Sequence, residues 1–133
     1  MSKTLTIMLL SGSAENEDAE FATRLSEAAI DKGHKVQIYL YGNAVNLSKK
    51  EIPIEGDDLH IAPRLLDHIE PTKNFERIGK ICAAGADVST CHTNEHARGI
   101  ESREYVEGVK WGDVGGTFTK YLMTADVLLS IGH

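Results

Sequence analysis

The sequence predicts a single-domain α/β fold, a three-layer sandwich in which a mostly parallel central sheet is flanked by helices. Residues 5–10 (Leu-Thr-Ile-Met-Leu-Leu) form a nearly continuous apolar run, which is typical of a strand buried on both faces of a parallel sheet. Residues 16–32 place apolar side chains at helical spacing, and Gly33 provides a stop; these side chains are Phe21, Ala22, Leu25, Ala28 and Ala29. A second strand-like run follows at residues 35–41, so the chain opens with a βαβ unit.

The rest of the chain continues this alternation within one domain over residues 1–133, because a chain of this length builds one core. We expect a loop at 44–56 and a partly helical segment at 57–70, followed by a helix carrying Phe75, Ile78, Ile81 and Cys82. A strand is expected at 88–90, followed by a helix at 92–98 that Gly99 closes. A helix capped by Asp113 and a last strand at 126–131 come after it. Residues 100–112 remain open, although Tyr105 and Val106 suit a short strand.

The composition restricts the classes of partner. The formal net charge is -6 without a basic run, which disfavours a nucleic-acid surface or an anionic membrane. The sequence contains no apolar stretch long enough to span a bilayer and no charged segment followed by a long apolar core at its start. We therefore expect a cytoplasmic protein.

Cys91 is the first candidate for chemistry, because it falls where the predicted strand ends and the predicted helix begins. Unpaired backbone N–H groups and the helix dipole at such a position favour an anion and hence a thiolate. His92, His96 and Arg98 add positive or protonatable groups to the same segment. The opposing interpretation is that Cys91 is a buried small hydrophobic residue, as free cysteines often are.

A metal site at Cys91, His92 and His96 is a weaker interpretation. Histidines four residues apart share a helix face, but adjacent Cys and His ligands are strained and no fourth ligand is evident. No metal or cofactor is therefore assigned. Nucleotide or flavin binding is also disfavoured, because the Ser-Gly-Ser loop at 11–13 leads into an acidic helix start that would repel phosphate.

The second cysteine, Cys82, is expected in the core. Its neighbours lie on an apolar helix face, and an extended strand separates it from Cys91 by more than the distance of about 7 Å that a disulfide bridges. The loops at 11–13, 41–43 and 91–92 all follow predicted strands, so we expect them to converge at one edge of the sheet.

Residues 85–100 resemble the cysteine segment of the DsrE/TusD-like (DsrE/DsrF/DsrH) sulfur-relay family. The pattern is a cysteine six residues after Gly85, followed by a short helix that closes with Arg98, Gly99 and Ile100. The resemblance implies that Cys91 corresponds to the persulfide-carrying cysteine of that family. It also implies sulfur-donor and sulfur-acceptor cysteine proteins as partners, and a homo-oligomer (trimer or hexamer) or a heterohexamer with paralogues.

The function expected from these observations is that of a sulfurtransferase or sulfur-carrier subunit. It would relay sulfane sulfur as a persulfide on Cys91, in a relay of the sulfur-oxidation or tRNA-thiolation type. His92 and His96 are expected to assist the thiol. The alternative is a non-catalytic, oligomeric redox-sensing or regulatory protein in which Cys91 senses oxidation.

Overall fold

The computed structural model describes residues 1–12, 17–50 and 73–132. Five strands, each parallel to its neighbours, form one sheet in the order β4-β3-β2-β1-β5. The strands are β1 (Thr4–Leu9), β2 (Lys35–Leu40), β3 (Asp87–Cys91), β4 (Lys110–Gly112) and β5 (Val127–Ile131). The helices are α1 (Glu17–Asp31), α2 (Lys73–Ala83), α3 (His92–Ala97) and α4 (Thr119–Thr124). Shorter helical turns are the 3-10 helices Gly42–Ser48 and Ser102–Glu104 and the π-helix Val114–Phe118. The α/β prediction is confirmed.

The βαβ unit at the start of the chain is confirmed to within one residue at the strand ends. β1 pairs with β2 from Thr4 opposite Lys35 to Leu9 opposite Leu40. Ile7 and Ile38 face each other in this register, and both side chains are fully buried. The continuous apolar runs therefore correspond to the two central strands, which have helices on both faces.

The predicted buried face of α1 is only partly correct. Phe21 is 57% exposed, whereas the buried side chains are the small residues Ala19, Ala22, Thr23 and Ser26. The Thr23 and Ser26 hydroxyls donate to the carbonyls of Ala19 and Ala22 at 2.9 and 2.7 Å. These bonds within the helix remove the cost of burying the two polar groups, so a narrow face packs against the sheet and leaves Phe21 outside.

The region predicted as a loop at 44–56 begins with structure. Residues Gly42–Ser48 form a 3-10 helix in which Ala44, Val45, Leu47 and Ser48 are buried. Its sequence has no regular apolar period, because its burial comes from packing above the strand ends and not from an amphipathic face. Residues 51–56 and the predicted helical segment 57–70 lie outside the described residues.

The second half of the chain largely follows the predictions. Ile78 and Ile81 of α2 are buried, while the side chain of Phe75 lies outside the described part of the structure. Asp113 caps the π-helix by accepting from the N–H groups of Gly116 and Thr117 at 2.8 and 3.0 Å. These backbone hydrogen bonds, that of Thr117 first, lower the pKa of the Asp113 carboxyl.

The segment that the sequence left open, residues 100–112, crosses above the strand ends before it joins the sheet. Tyr105 forms an isolated antiparallel bridge with Lys49, supported by a 2.8 Å bond from Lys50 N–H to the Glu104 carbonyl. The chain then enters β4 at the sheet edge. Among the helices that the structure describes, none is both long and apolar enough to cross a membrane.

Candidate functional site

Cys91 lies at the junction that the sequence predicts. It is the last residue of β3, and it is also the N-cap of α3. Helix α3 ends at Ala97, and Gly99, whose φ of +68° suits glycine, closes it. The Gly99 N–H donates to the His96 carbonyl at 3.1 Å, and the Ile100 N–H donates to the Glu95 carbonyl at 2.9 Å. This pair of bonds is a Schellman motif, which fixes the length of α3 at six residues.

The loops after β2 and β3 meet, as predicted, at the carboxyl edge of the sheet. The Gly42 N–H donates to the Asn94 side-chain oxygen at 2.6 Å. The Arg98 guanidinium donates to the Asn43 side-chain oxygen at 2.8 Å and to the Asn94 carbonyl at 3.2 Å. Arg98 therefore links α3 to the neighbouring loop.

Gly12, in the loop after β1, also reaches this edge. A side chain at this position would collide with Leu47 of the 3-10 helix. The neighbouring Ser11 hydroxyl donates to the Asp18 carboxylate at 2.6 Å, which holds the acidic start of α1 against the loop. Ser13 lies outside the described residues.

The side chain of Cys91 is buried, with 2% of its surface exposed. It belongs to a cluster with Tyr39, Val45, Ile100 and Tyr121, against which Tyr41, Tyr105 and Phe118 also pack. The Tyr39 hydroxyl is buried and has no hydrogen-bond partner within the described part of the chain, and burial first and the Cys91 side chain second raise its pKa. This burial is compatible with a packing role, so a chemical role requires that Cys91 be uncovered.

The two histidines belong to a polar network on α3. His92 Nδ1 lies 3.1 Å from Glu95 Oε1, and His92 Nε2 lies 3.1 Å from His96 Nε2. The Tyr105 hydroxyl donates to the other carboxylate oxygen of Glu95. Glu95 as a whole residue is only 2% exposed. The described hydrogen bonds of the two imidazoles thus join them to each other and to Glu95.

Glu95 is the residue that the sequence analysis missed. Its position three residues after His92 and one before His96 places all three side chains on one helix face, and that spacing was the available signal. Burial and the hydrogen bond to Glu95 raise the pKa of Tyr105, in that order. Among the described residues, His92, Glu95 and His96 each bring one possible ligand atom within 4.8 Å of the others, and Cys91 is not part of this group.

Cys82 occupies the packing position that was expected. It is partly buried against the main core, and both cysteines are free thiols. Burial, with a smaller contribution from the Asp87 carboxylate, raises the pKa of Cys82 to about 11. A thiol with that pKa is almost entirely protonated at neutral pH and is a poor nucleophile.

Comparison with known proteins agrees with this architecture. The model of the DsrE/DsrF-like family matches residues 3–130. The chain belongs to the DsrE/DsrF-like family. Among the curated proteins, none matches the sequence.

Solved structures share the DsrE/DsrF-like fold of this chain along nearly its whole length. The YchN protein of E. coli is 20% identical, with a TM-score of 0.60 and coverage of 98% of this chain and 99% of its own. A protein of unknown function from Methanobacterium thermoautotrophicum is 11% identical, with a TM-score of 0.64 and coverage of 97% and 99%. One from Bacteroides thetaiotaomicron is 19% identical, with a TM-score of 0.62 and coverage of 97% and 95%. At these identities the similarity establishes the fold.

Proposed function

We propose that this DsrE/DsrF-like chain is a cytoplasmic sulfur-carrier subunit that relays sulfane sulfur as a persulfide on Cys91. The observation that carries the proposal is the position of Cys91 at the carboxyl end of β3, where α3 follows directly and meets the loop after β2. In open parallel sheets this edge is where functional groups gather. Cys82 has no comparable position, because it lies in α2 against the core.

The transfer is a sulfur exchange without net oxidation. The Cys91 thiolate attacks the outer sulfur of a donor persulfide, the donor S–S bond breaks, and a new S–S bond forms at Cys91. The donor cysteine leaves as a thiolate and takes up a proton. An acceptor thiolate then attacks the outer sulfur of the Cys91 persulfide and releases Cys91 as a thiolate.

The burial of Cys91 sets a condition on this exchange. A donor or acceptor cysteine cannot reach the sulfur of a residue that is only 2% exposed, so the aromatic cluster or α3 must move when a partner binds. His92, which follows Cys91 directly, and its hydrogen-bonded neighbour His96 are the proposed proton donors or acceptors for the leaving and entering thiols.

The proposal includes self-assembly, which a feature of the sheet supports. β5 is an edge strand, and Val127 and Leu128 on it and Leu122 and Met123 on α4 are all exposed. Large exposed side chains of this kind at a sheet edge suit burial against another copy or a paralogue. Light scattering tests this part: a monomer at all micromolar concentrations would exclude a homo-oligomer.

Mass spectrometry of sulfur loading tests the carrier proposal. Wild type, Cys91→Ser and Cys82→Ser are incubated with a persulfide donor, and the intact mass is measured before and after reduction. We expect wild type and Cys82→Ser to gain sulfur that a reductant removes, and Cys91→Ser to gain none. Loading that persists in Cys91→Ser would refute the role of Cys91.

The oxidation-sensor alternative is favoured by the same burial of Cys91, because oxidising a packed thiol would disturb its surroundings. It predicts that peroxide changes the assembly of wild type and not that of Cys91→Ser, while the persulfide donor transfers no sulfur. The two experiments therefore separate a carrier from a sensor.

A further inference from the structure

We infer that His92 and His96 form a binding site for a divalent late first-row transition metal such as Ni²⁺, Cu²⁺ or Zn²⁺, with Glu95 as the group that orients His92. The two Nε2 atoms lie 3.1 Å apart on one face of α3. One ligand atom from each of His92, Glu95 and His96 lies within 4.8 Å of the others. The inference does not require sulfur transfer at Cys91, although it uses the two histidines that the sulfur-carrier proposal names as proton donors or acceptors.

The distance between the two nitrogens suits one metal ion. At a metal–nitrogen bond length of about 2.0–2.1 Å, the nitrogens of two imidazole ligands lie about 2.8–3.4 Å apart for bond angles between about 90° and 110°. The observed 3.1 Å falls inside this interval. The two rings also stand nearly perpendicular, at 85°, so they do not stack on each other.

The proton positions follow from Glu95. Since the carboxylate oxygen 3.1 Å from His92 Nδ1 can only accept, His92 carries a proton on Nδ1, and the neutral ring then presents a lone pair at Nε2. In the metal-free protein, His96 Nε2–H donates to that lone pair. Metal binding takes the place of this hydrogen bond, and His96 moves its proton to Nδ1, so neutral imidazoles supply both lone pairs.

The buried carboxylate distinguishes this arrangement from two histidines that merely face solvent. Ligating histidines characteristically donate their second N–H to a carboxylate, which fixes the ring orientation and increases its basicity. Glu95 is buried and receives a second hydrogen bond from the Tyr105 hydroxyl, so its own position is fixed. The His92 side chain remains 47% exposed, so water can complete the coordination.

Trp111 provides a direct readout, because it is the only tryptophan of the chain. Its ring centroid lies 5.0 Å from that of His92. A paramagnetic ion bound to His92 would therefore quench Trp111 fluorescence, whereas diamagnetic Zn²⁺ would compete without the same quenching. The readout requires neither enzymatic activity nor a sulfur donor.

The experiment titrates the full metal-free chain with NiCl₂ under reducing conditions and follows Trp111 emission. We expect saturable quenching with one ion per chain, reversal by EDTA and competition by ZnCl₂. His96→Ala removes one ligand and keeps the contact of His92 with Trp111, so its half-saturating Ni²⁺ concentration should rise at least about tenfold. Glu95→Gln should raise it by about 10-fold or more, as losses of outer-shell partners do.

Two further variants serve as controls. His34→Ala removes a histidine outside the site and should bind as wild type does; in wild type, His34 Nδ1 accepts from the Lys3 N–H. Cys91→Ser should also bind as wild type does, which separates this inference from the carrier proposal. Circular dichroism checks that each variant is folded. If Glu95→Gln does not fold, because Glu95 is buried, the Ni²⁺ affinity of His96→Ala alone tests the inference. Unsaturable quenching in wild type, or equal affinity in folded His96→Ala, would overturn the inference.

Discussion

Cys82 should react far more slowly than an ordinary thiol, and the structure sets the magnitude. Its pKa is raised from 9.0 to about 11, chiefly by burial. At pH 8 about 10% of a thiol with the ordinary value is thiolate, against about 0.1% at the raised value. Because the thiolate is the nucleophile, alkylation of Cys82 at pH 8 should be about 100-fold slower in the folded protein than in the unfolded chain.

The assay uses Cys91→Ser, in which Cys82 is the remaining thiol. Iodoacetamide labelling is followed by mass spectrometry from pH 7 to pH 11, in buffer and in guanidinium chloride as the matched unfolded control. The unfolded chain should show a midpoint near pH 9, and the folded protein a midpoint near pH 11. A folded-state midpoint near 9 would show that burial does not suppress this thiol, and Cys82 would return as a candidate sulfur carrier.

The same shift predicts how stability depends on pH. The folded-state pKa of Cys82 is above its unfolded value, so the protonated thiol contributes its full stabilisation of the folded state below about pH 9. This stabilisation is lost as the pH rises towards about 11, because the unfolded chain releases the thiol proton at a lower pH than the folded protein does. At pH 10.5 the loss is at most about 2 kcal/mol, and partial exposure of Cys82 reduces it further. Urea unfolding at pH 8 and 10.5 should therefore show a larger decrease for wild type than for Cys82→Ala.

Three other substitutions test the packing around the site by urea unfolding. Tyr121→Phe should lower the free energy of unfolding by about 1–2 kcal/mol, because the hydroxyl donates to Asp87 at 2.6 Å and lies 2.9 Å from the buried Ser89 hydroxyl; no change would mean that water replaces these bonds. Gly99→Ala should cost about 1–2 kcal/mol from its positive φ alone, since the space around it is open, and a neutral result would contradict the helix-end geometry. Gly108→Ala should cost more than Gly99→Ala, because an added β-carbon would lie 2.7 Å from Cβ of Cys82; equal costs would contradict that contact.

The central fold and the Cys91 junction could be predicted from the sequence because local patterns encode them. The apolar runs of β1 and β2 identify strands buried on both faces, and Gly99 marks the end of α3. Glu95 could not be recognised as a buried residue, because its burial depends on Tyr105, which arrives from a segment without apolar period. The burial of Phe21 was wrongly predicted for a related reason. Helical spacing identifies apolar residues, but it does not show that the Thr23 and Ser26 hydroxyls can donate to carbonyls of their own helix and so lie on the buried face.

Helix α3 carries the candidate histidines and directly follows Cys91, and its position depends on other parts of the chain. With six residues, it is too short to be stable by itself. Asn94 and Arg98 hold it to the loop after β2, and Glu95 holds it to Tyr105. A displacement of either of these segments would therefore move α3, and the same movement would change the exposure of the Cys91 thiol.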